Sequence, residues 1–190
     1  MNFKRISIYP ILIVFTLFYM ISCDEDPNDI EYGFPLIYMP QSTMLSGGLN
    51  NNYPVPGPNT ISPNYSIDSD NKINVVLGVY RSGLQSLEAY SVDVYSNADT
   101  LNYLIDTTLY TNRAILPADV YSIPESIAVV NGERETTFYL VIDKAKLVSN
   151  YQSLKGQTLV TAIGIKNPSK YELNKALCTT VVLIDSTISF

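Results

Sequence analysis

The chain has 190 residues, of which 46% are hydrophobic and 16% charged, so it is long and apolar enough to form one domain with its own core. Its net charge of −6 makes it a poor match for nucleic acid, because phosphate binding needs clustered Lys and Arg. Histidine is absent, which excludes Ser-His-Asp and Cys-His catalysis and histidine-ligated zinc. The 15 tyrosines, together with abundant Val, Ile and Thr, favour β-sheet.

The first 22 residues have the pattern of a secretory signal peptide. Lys4 and Arg5 precede an apolar run over 6–22, and an acidic segment follows abruptly. The run is short for a transmembrane span and contains Pro10, which favours a signal peptide over the alternative of a single-span anchor. Loss of these two positive charges would take the net charge from −6 to −8.

The end of the apolar run, 20–23, resembles a bacterial lipobox, in which Cys23 is acylated and becomes the new N-terminus. Acylation anchors a protein to a membrane without spanning it. The acidic segment 24–26 resembles the surface-export signal of Bacteroidota lipoproteins, which implies a position on the cell surface, on the outer face of the outer membrane. We therefore predict a signal peptide over 1–22, an acylated tether over 23–33 and one domain over 34–190.

A single thiol, Cys178, remains once Cys23 is acylated, so no intramolecular disulfide is expected. Cys178 lies in a strand pattern, where it alternates with Thr180, Val182 and Ile184. This pattern favours a buried, unreactive thiol over a reactive one.

The domain begins with short strands and a long loop. A run over 34–38 predicts a first strand, which Pro35 restricts to a sheet edge or a strand start. Proline, glycine and asparagine over 40–70 predict a long loop with one short strand near 65–67. Asp68-Ser69-Asp70-Asn71 faintly resembles the start of a calcium loop, but it lacks the glycine and distal glutamate of one. A polar turn is favoured, and we predict no metal site and no cofactor.

Two alternating segments and one helical segment follow. Alternating apolar residues predict strands over 73–80 and 90–95, and Gly78 indicates a bulge or a close neighbouring backbone. The segment 97–112 does not alternate; apolar residues at helical spacing behind Asn97 predict a short helical crossover.

The strongest local signal lies in 116–143, where Asn131-Gly132 separates two apolar runs. Asn-Gly between such runs predicts a hairpin with a type I′ turn, because both residues tolerate positive φ. Hairpin pairing would place the apolar residues of both strands on one face, which becomes a wall of the core: Ile127, Val129, Phe138, Leu140 and Ile142.

The remaining chain completes the sheets. A polar crossing segment over 144–156 precedes two strands, 158–166 and 176–185. About seven strands separated by turn signals are typical of an immunoglobulin-like sandwich. The predicted fold is all-β: a single antiparallel β-sandwich with one short helical crossover.

Several of these residues resemble those of a known family. Leu116-Pro117, Tyr121, the run 127–133 and the strand 138–143 are similar to the immunoglobulin-like N-terminal domain of unknown function in Bacteroidota surface lipoproteins. The resemblance covers about residues 34 to 185. Members are typically encoded in polysaccharide-utilisation loci, beside starch-utilisation-type outer-membrane transporters. The resemblance therefore implies an outer-membrane lipoprotein whose partners are a polysaccharide and such a transporter complex.

No catalytic pattern is present in the sequence. Glycoside hydrolysis needs two carboxylates with separately tuned pKa values, and none of the acidic residues has a recognisable catalytic spacing. We expect the chain not to be an enzyme.

A sugar-binding site is a second kind of candidate, because a pyranose ring stacks on Tyr while Asn and Arg take its hydroxyl groups. The best cluster in the sequence is Tyr103 and Tyr110 with Asn102, Asn112 and Arg113. Tyr53 and Tyr65, in the long loop, form a second candidate. The alternative is that these tyrosines pack over the ends of the sandwich.

Three Asp-Ser/Thr motifs resemble the Bacteroidota O-glycosylation sequon, with Thr100, Thr107 and Ser186 as acceptors. Two classes of function follow for the whole chain. The favoured one is a glycan-binding or accessory lipoprotein of a polysaccharide-uptake system. The alternative is a structural or adhesive module that acts through protein contacts at exposed strand edges.

Overall fold

Two six-stranded sheets, A and B, face each other across a common apolar core. The computed structural model of the chain describes residues 33–43, 52–57, 61, 63–83, 87–106 and 112–190. Gly33–Phe190 forms one compact unit. Within the described residues, no helix is long and apolar enough to cross a membrane.

The strands in chain order are β1 (Leu36–Tyr38), β2 (Asn52–Val55), β3 (Tyr65–Ile67), β4 (Lys72–Arg81), β5 (Tyr90–Ser96), β6 (Arg113–Ile115), β7 (Tyr121–Ser122), β8 (Ser126–Val129), β9 (Glu135–Asp143), β10 (Thr158–Lys166), β11 (Glu172–Leu173) and β12 (Thr179–Ile184). The α-helices are α1 (Ala98–Asp106), α2 (Lys144–Asn150) and α3 (Ser186–Ser189), and 3₁₀ turns span Pro40–Thr43, Ala118–Val120 and Gln152–Leu154.

Sheet A has the order β11-β1-β4-β9-β7, with β3 also beside β4; sheet B has the order β2-β12-β10-β5-β8, with β6 also beside β10. The predicted all-β sandwich with a short helical crossover is confirmed. Its strand count and its purely antiparallel pairing are wrong, because the described residues form twelve strands and three pairs are parallel: β1 with β11, β6 with β10 and β2 with β12. The additional strands are two to four residues long, too short to carry a clear alternation.

The core follows the alternation of the long strands. Ile73, Val75, Leu77 and Val79 of β4 are fully buried, as are Leu140 and Ile142 of β9. From sheet B, the inward residues of β5 and β10 close the other side: Tyr90, Val92, Val94, Leu159, Ile163 and Ile165. The predicted strands over 73–80, 90–95 and 158–166 are therefore confirmed.

The predicted Asn131-Gly132 hairpin is wrong. Strand β8 pairs with β5 in sheet B, whereas β9 pairs with β4 and β7 in sheet A, so the turn carries the chain from one sheet to the other. Gly132 has φ +90° but Asn131 does not have a positive φ, which excludes a type I′ turn. The apolar residues of β8 and β9 still meet in the core, because they face each other from opposite sheets.

Within the predicted loop 40–70, the Pro40–Thr43 turn joins the two sheets. The Gln41 side-chain oxygen accepts a hydrogen bond from the Gly78 N–H of β4 at 3.1 Å. The Ser42 hydroxyl donates to the Thr179 carbonyl of β12 at 2.8 Å. A Cβ at Gly78 would lie 3.2 Å from the Thr136 carbonyl oxygen, so the predicted close approach of a neighbouring backbone is confirmed.

The acidic run after β3 forms the hairpin turn between β3 and β4, so the prediction of a polar turn is confirmed. The Asp68 carboxylate accepts hydrogen bonds from the N–H groups of Asp70 at 3.0 Å and Lys72 at 2.9 Å, and from the Asn74 amide at 3.2 Å. The Lys72 bond is the main reason that the pKa of Asp68 is lowered. Among the described residues, no three His, Cys, Asp or Glu side chains are grouped as metal ligands.

The predicted crossover helix is confirmed as α1. The Asn97 side-chain oxygen accepts a hydrogen bond from the Thr100 N–H at 3.1 Å, which caps the helix N-terminus. Leu101 packs on the outer face of sheet B against Val160, Ala162 and Val181.

The prediction of a buried thiol at Cys178 is wrong. Cys178 is partly buried and lies just before β12, and its Sγ donates to the Lys175 carbonyl at 3.3 Å.

One end of the core is closed by a buried cation and two aromatic rings. Arg81, the last residue of β4, is 0% exposed, and its guanidinium lies 4.8 Å from the centre of the Tyr171 ring. Tyr171 meets the Tyr90 ring edge-on at 5.7 Å. Burial raises the pKa of Tyr90 to about 12, and the nearby Arg81 charge opposes this rise.

Alkaline pH is expected to destabilise the protein partly through Tyr90. Because the folded pKa of Tyr90 lies above the ordinary tyrosine value of about 10, its neutral form stabilises the fold below pH 10, and this contribution is lost as pH rises towards 12. In urea unfolding at pH 8, 10 and 11, we expect Tyr90→Phe to lose less stability than the wild type. Identical losses of stability in the two proteins would contradict the assignment.

Candidate functional site

Three tyrosines lie on the outer face of sheet A, where Tyr139 is exposed and Tyr38 and Tyr80 are partly buried. Alternation along β4 turns Tyr80 and Val76 outward, on the side opposite the buried core residues. In β9 the outward residues are Glu135, Thr137 and Tyr139. Strand β1 adds Tyr38. We call Tyr38, Tyr80, Glu135, Thr137 and Tyr139 the tyrosine face.

One end of the tyrosine face is a row across three strands. Tyr38 lies opposite Tyr80, and Tyr80 lies opposite Glu135. The Tyr38 and Tyr80 ring centres are 5.3 Å apart and the rings are tilted by 48°. Burial, followed by the neighbouring Tyr80 and Glu135, raises the pKa of Tyr38, so its phenol remains neutral at physiological pH and can donate a hydrogen bond.

Tyr139 lies further along the same face and is 48% exposed. It sits opposite Val76, four residues from Tyr80 along β4, which corresponds to about 13 Å along the strand. Gly78 and Thr137 form the pair between these two positions. Neither has a large side chain; Gly78 is buried and Thr137 is exposed, so no bulky side chain of β4 or β9 separates the two aromatic positions.

A groove continues from Tyr139 at the β7 edge of sheet A. It has a volume of about 220 Å³ and is lined by Lys72, Asp119, Val120, Tyr121, Ser122, Val141 and Asp143. We call it the edge groove. Val141 and Asp143 are the next two outward residues of β9 after Tyr139, so the groove begins where the tyrosine face ends.

The two carboxylates of the edge groove are held by neighbouring donors. Asp119 accepts a hydrogen bond from the Tyr151 hydroxyl at 2.6 Å, and it forms an ion pair with the Lys146 ammonium at 3.1 Å. These two groups, Tyr151 first, lower the pKa of Asp119. Asp143 accepts from the Lys146 backbone N–H at 2.8 Å and caps α2. Both carboxylates are therefore held in place as hydrogen-bond acceptors.

Four carboxyl groups in the described part of the chain have a lowered pKa: those of Asp68, Glu88, Asp119 and Asp185. A glycosidase general acid needs a raised one, because it must hold a proton near neutral pH. The arrangement can bind hydroxyl groups and aromatic-stacking ligands.

The sequence-predicted glycan cluster lies on the other side of the sandwich. Asn102 and Tyr103 of α1 are exposed, Tyr103 to 66%, because Leu101 turns the opposite side of the helix onto sheet B. Arg113 begins β6, is partly buried and lies opposite Thr158. The Asn112 amide donates to the Gly156 carbonyl at 3.2 Å. Tyr110 lies outside the described residues.

The second sequence-predicted candidate, Tyr53 with Tyr65, is wrong as an exposed platform. Tyr53 is 4% exposed, and its hydroxyl donates to the Val76 carbonyl of β4 at 3.0 Å. Tyr65 is partly buried against the same core. Both tyrosines pack in the sandwich, as the alternative interpretation required: Tyr53 lies in β2, a strand where a loop was predicted, and Tyr65 begins β3, the predicted short strand near 65–67.

The modification sites remain predictions. Thr100 lies in the first turn of α1 and Ser186 begins α3, where Asp185 accepts from the Thr187 N–H at 2.7 Å. Thr107 and the lipid-attachment residue Cys23 lie outside the described residues. Sequence reasoning missed the tyrosine face, although Tyr139 alternates with the inward Phe138 and Leu140 and so could have been assigned outward.

The fold is shared with crystal structures from Bacteroides. A Bacteroides ovatus protein of unknown function has a TM-score of 0.55 at 15% identity, over 78% of this chain and 46% of that chain. An auxiliary nutrient binding protein from Bacteroides thetaiotaomicron has a TM-score of 0.50 at 23% identity, over 75% and 46%. A two-domain protein of unknown function from Bacteroides fragilis has a TM-score of 0.50 at 15% identity, over 96% and 51%.

The chain spans about half the length of these structures. No protein-family model and no curated protein matches it. The chain has a two-sheet β-sandwich fold of a kind found within larger Bacteroides proteins.

Proposed function

We propose that the chain is a non-enzymatic surface lipoprotein that binds polysaccharide on its tyrosine face and serves a glycan-uptake system. The observation that carries this proposal is the outward placement of Tyr38, Tyr80 and Tyr139 on one sheet face. Sugar rings stack on such aromatic faces, and neighbouring hydroxyl and carboxylate groups take their hydroxyls.

The shape of the site favours an extended chain as the ligand. Tyr80 and Tyr139 are about 13 Å apart along the strand, further than one sugar ring can bridge while stacking on both. Thr137, between them and exposed, can contact the sugar units that cross the gap.

The cellular setting rests on sequence and on fold. The lipobox at Cys23, the tether over 23–33 and the acidic residues after Cys23 support anchoring on the outside of the outer membrane. The fold shared with an auxiliary nutrient binding protein of Bacteroides thetaiotaomicron supports a role in nutrient capture. The family resemblance supports a starch-utilisation-type transporter complex as the protein partner and membership of the Bacteroidota surface-lipoprotein domain family.

The proposed function is tested by retention of the chain from residue 24 to 190 on a panel of insoluble and arrayed polysaccharides. We expect retention by at least one polysaccharide, with no release of soluble sugar during incubation. Absence of retention at millimolar protein, or a stable oligomer that binds only other proteins, would contradict glycan binding and favour the structural or adhesive module.

Anchoring is tested separately with Cys23→Ala in the full chain. We expect the wild type to incorporate a radiolabelled fatty acid, to remain with outer membranes and to be shaved from intact cells by protease. Cys23→Ala is expected to lose the label and the membrane association, because acyl chains supply the anchoring. Cys178→Ala is the matched control and keeps both; equal labelling of Cys23→Ala would contradict the lipobox.

A further inference from the structure

We propose that the edge groove binds a single neutral pyranose unit and serves as the end subsite of the tyrosine face. This inference rests on the proposed function, but the groove can be tested on its own. Its volume of about 220 Å³ lies below the roughly 300–1,000 Å³ of pockets that enclose drug-sized ligands, which suits one sugar unit.

Continuity with the tyrosine face is set by the strand register. Tyr139, Val141 and Asp143 are successive outward residues of β9, about 7 Å apart. Ser122 of β7 lies opposite Val141, and Lys72 of β4 lies opposite Asp143. A glycan chain that stacks on Tyr139 and runs along β9 therefore reaches the groove with its next unit.

The groove closes one end of this path. The Ala118–Val120 turn forms one wall, and Asp119 in that turn is tied to α2 through Lys146, whose ammonium also donates to the Asp119 carbonyl at 2.7 Å. Helix α2 starts directly after Asp143, where β9 ends. A chain entering from Tyr139 thus meets a wall, which favours the terminal unit over an internal one.

The lining has the chemistry of a sugar subsite. Asp119 and Asp143 are oriented acceptors, while the Lys72 ammonium and Ser122 hydroxyl are donors. Val141, which is partly buried, gives an apolar surface for the C–H groups of a ring, and the core residue Val120 lies beneath the groove. The two carboxylates are balanced by Lys72 and Lys146, so the site favours a neutral sugar over an acidic one.

Saturation-transfer NMR with free monosaccharides tests the groove. The probes are glucose, galactose, mannose and glucuronic acid, each at millimolar concentration. We expect transfer to at least one neutral sugar and none to glucuronic acid. Ser122→Phe, which fills the groove from an exposed edge-strand position, is expected to reduce the transfer at least fivefold.

Ser126→Phe is the matched control, because Ser126 is an exposed strand serine on sheet B, and it should keep the transfer. Lys72→Met is a second variant that removes a donor and is expected to weaken transfer even if Ser122→Phe folds poorly. Transfer that persists in both variants, or no transfer to any neutral sugar, would overturn the subsite.

A third variant distinguishes binding in the edge groove from binding on the tyrosine face. A variant with Tyr38, Tyr80 and Tyr139 all replaced by alanine is expected to lose polysaccharide retention and keep monosaccharide transfer. Retention by the wild type without monosaccharide transfer would overturn the subsite and leave the proposed function standing. Transfer without retention of the wild type would support the groove and overturn the proposed function.

Discussion

Replacement of Tyr38, Tyr80 and Tyr139 together by alanine is expected to lower the affinity for a retained polysaccharide by about 100-fold or more. Each aromatic anchor of a binding face typically contributes about 1–2 kcal/mol, and 1.4 kcal/mol corresponds to a tenfold change in affinity. The three tyrosines share one outward face of β1, β4 and β9. Affinity electrophoresis in gels containing the polysaccharide measures the change.

Tyr103→Ala is the matched control for this prediction. Tyr103 is 66% exposed, more than Tyr139 at 48%, but it lies on α1 over the opposite sheet. We expect Tyr103→Ala to bind as the wild type does. Tyr139→Ala alone, at an exposed position that can lose its ring without loss of the fold, is expected to weaken binding by about tenfold. A loss confined to Tyr103→Ala would instead place the site on α1.

Arg81→Ala is expected to destabilise the fold by about 3–5 kcal/mol, the largest effect on stability that we expect of a polar residue. Arg81 is 0% exposed, and it is the largest fully buried side chain among the described residues. Its truncation removes the contact with the Tyr171 ring and leaves a cavity at the end of the core. Urea unfolding followed by circular dichroism measures the loss.

Arg81→Met separates packing from charge. Methionine keeps most of the buried volume and removes the guanidinium, and apolar replacement of a buried charge is often nearly neutral. We expect Arg81→Met to lose less than half of what Arg81→Ala loses. Stability of Arg81→Ala within about 1 kcal/mol of the wild type would contradict the role of Arg81 in closing the core.

The long strands could be predicted from sequence because burial of one face leaves a period of two over many residues. Strands β4, β5, β9 and β10 are seven to ten residues long; the predicted bounds of β4, β5 and β10 lie within one residue of the structure, and β9 begins three residues before the predicted 138–143. Short strands such as β6 and β11 exist because a neighbouring strand offers free hydrogen-bonding groups. That condition depends on tertiary contacts, so no local pattern indicates it.

The turn at Asn131-Gly132 shows a second limit. A local Asn-Gly signal indicates a tight reversal of the chain, but the partner of each strand depends on the competing strands. Here β5 pairs with β8 and β4 pairs with β9, so the reversal links two sheets. The set of core residues was nevertheless predicted, since burial requires the same alternation in either arrangement.

The candidate site also has one part that the sequence indicates and one part that it does not. The exposure of Asn102 and Tyr103 follows from helical periodicity around Leu101, which the sequence contains. The tyrosine face depends on strand register: Tyr38 and Tyr80 are 42 residues apart in the chain and become neighbours only through the β1–β4 pairing. Proximity in sequence therefore gives no indication of aromatic residues that strand pairing brings together.

The most direct test of the tyrosine face is a titration of the isotope-labelled chain, residues 24 to 190, with an oligosaccharide of a retained polysaccharide, followed by ¹⁵N–¹H correlation spectra. We predict that the perturbed amides cluster on β1, β4 and β9 around Tyr38, Tyr80 and Tyr139 and extend to the edge groove at Ser122. Perturbations confined to α1 and β6, around Tyr103 and Arg113, would contradict the account and return the site to the opposite sheet.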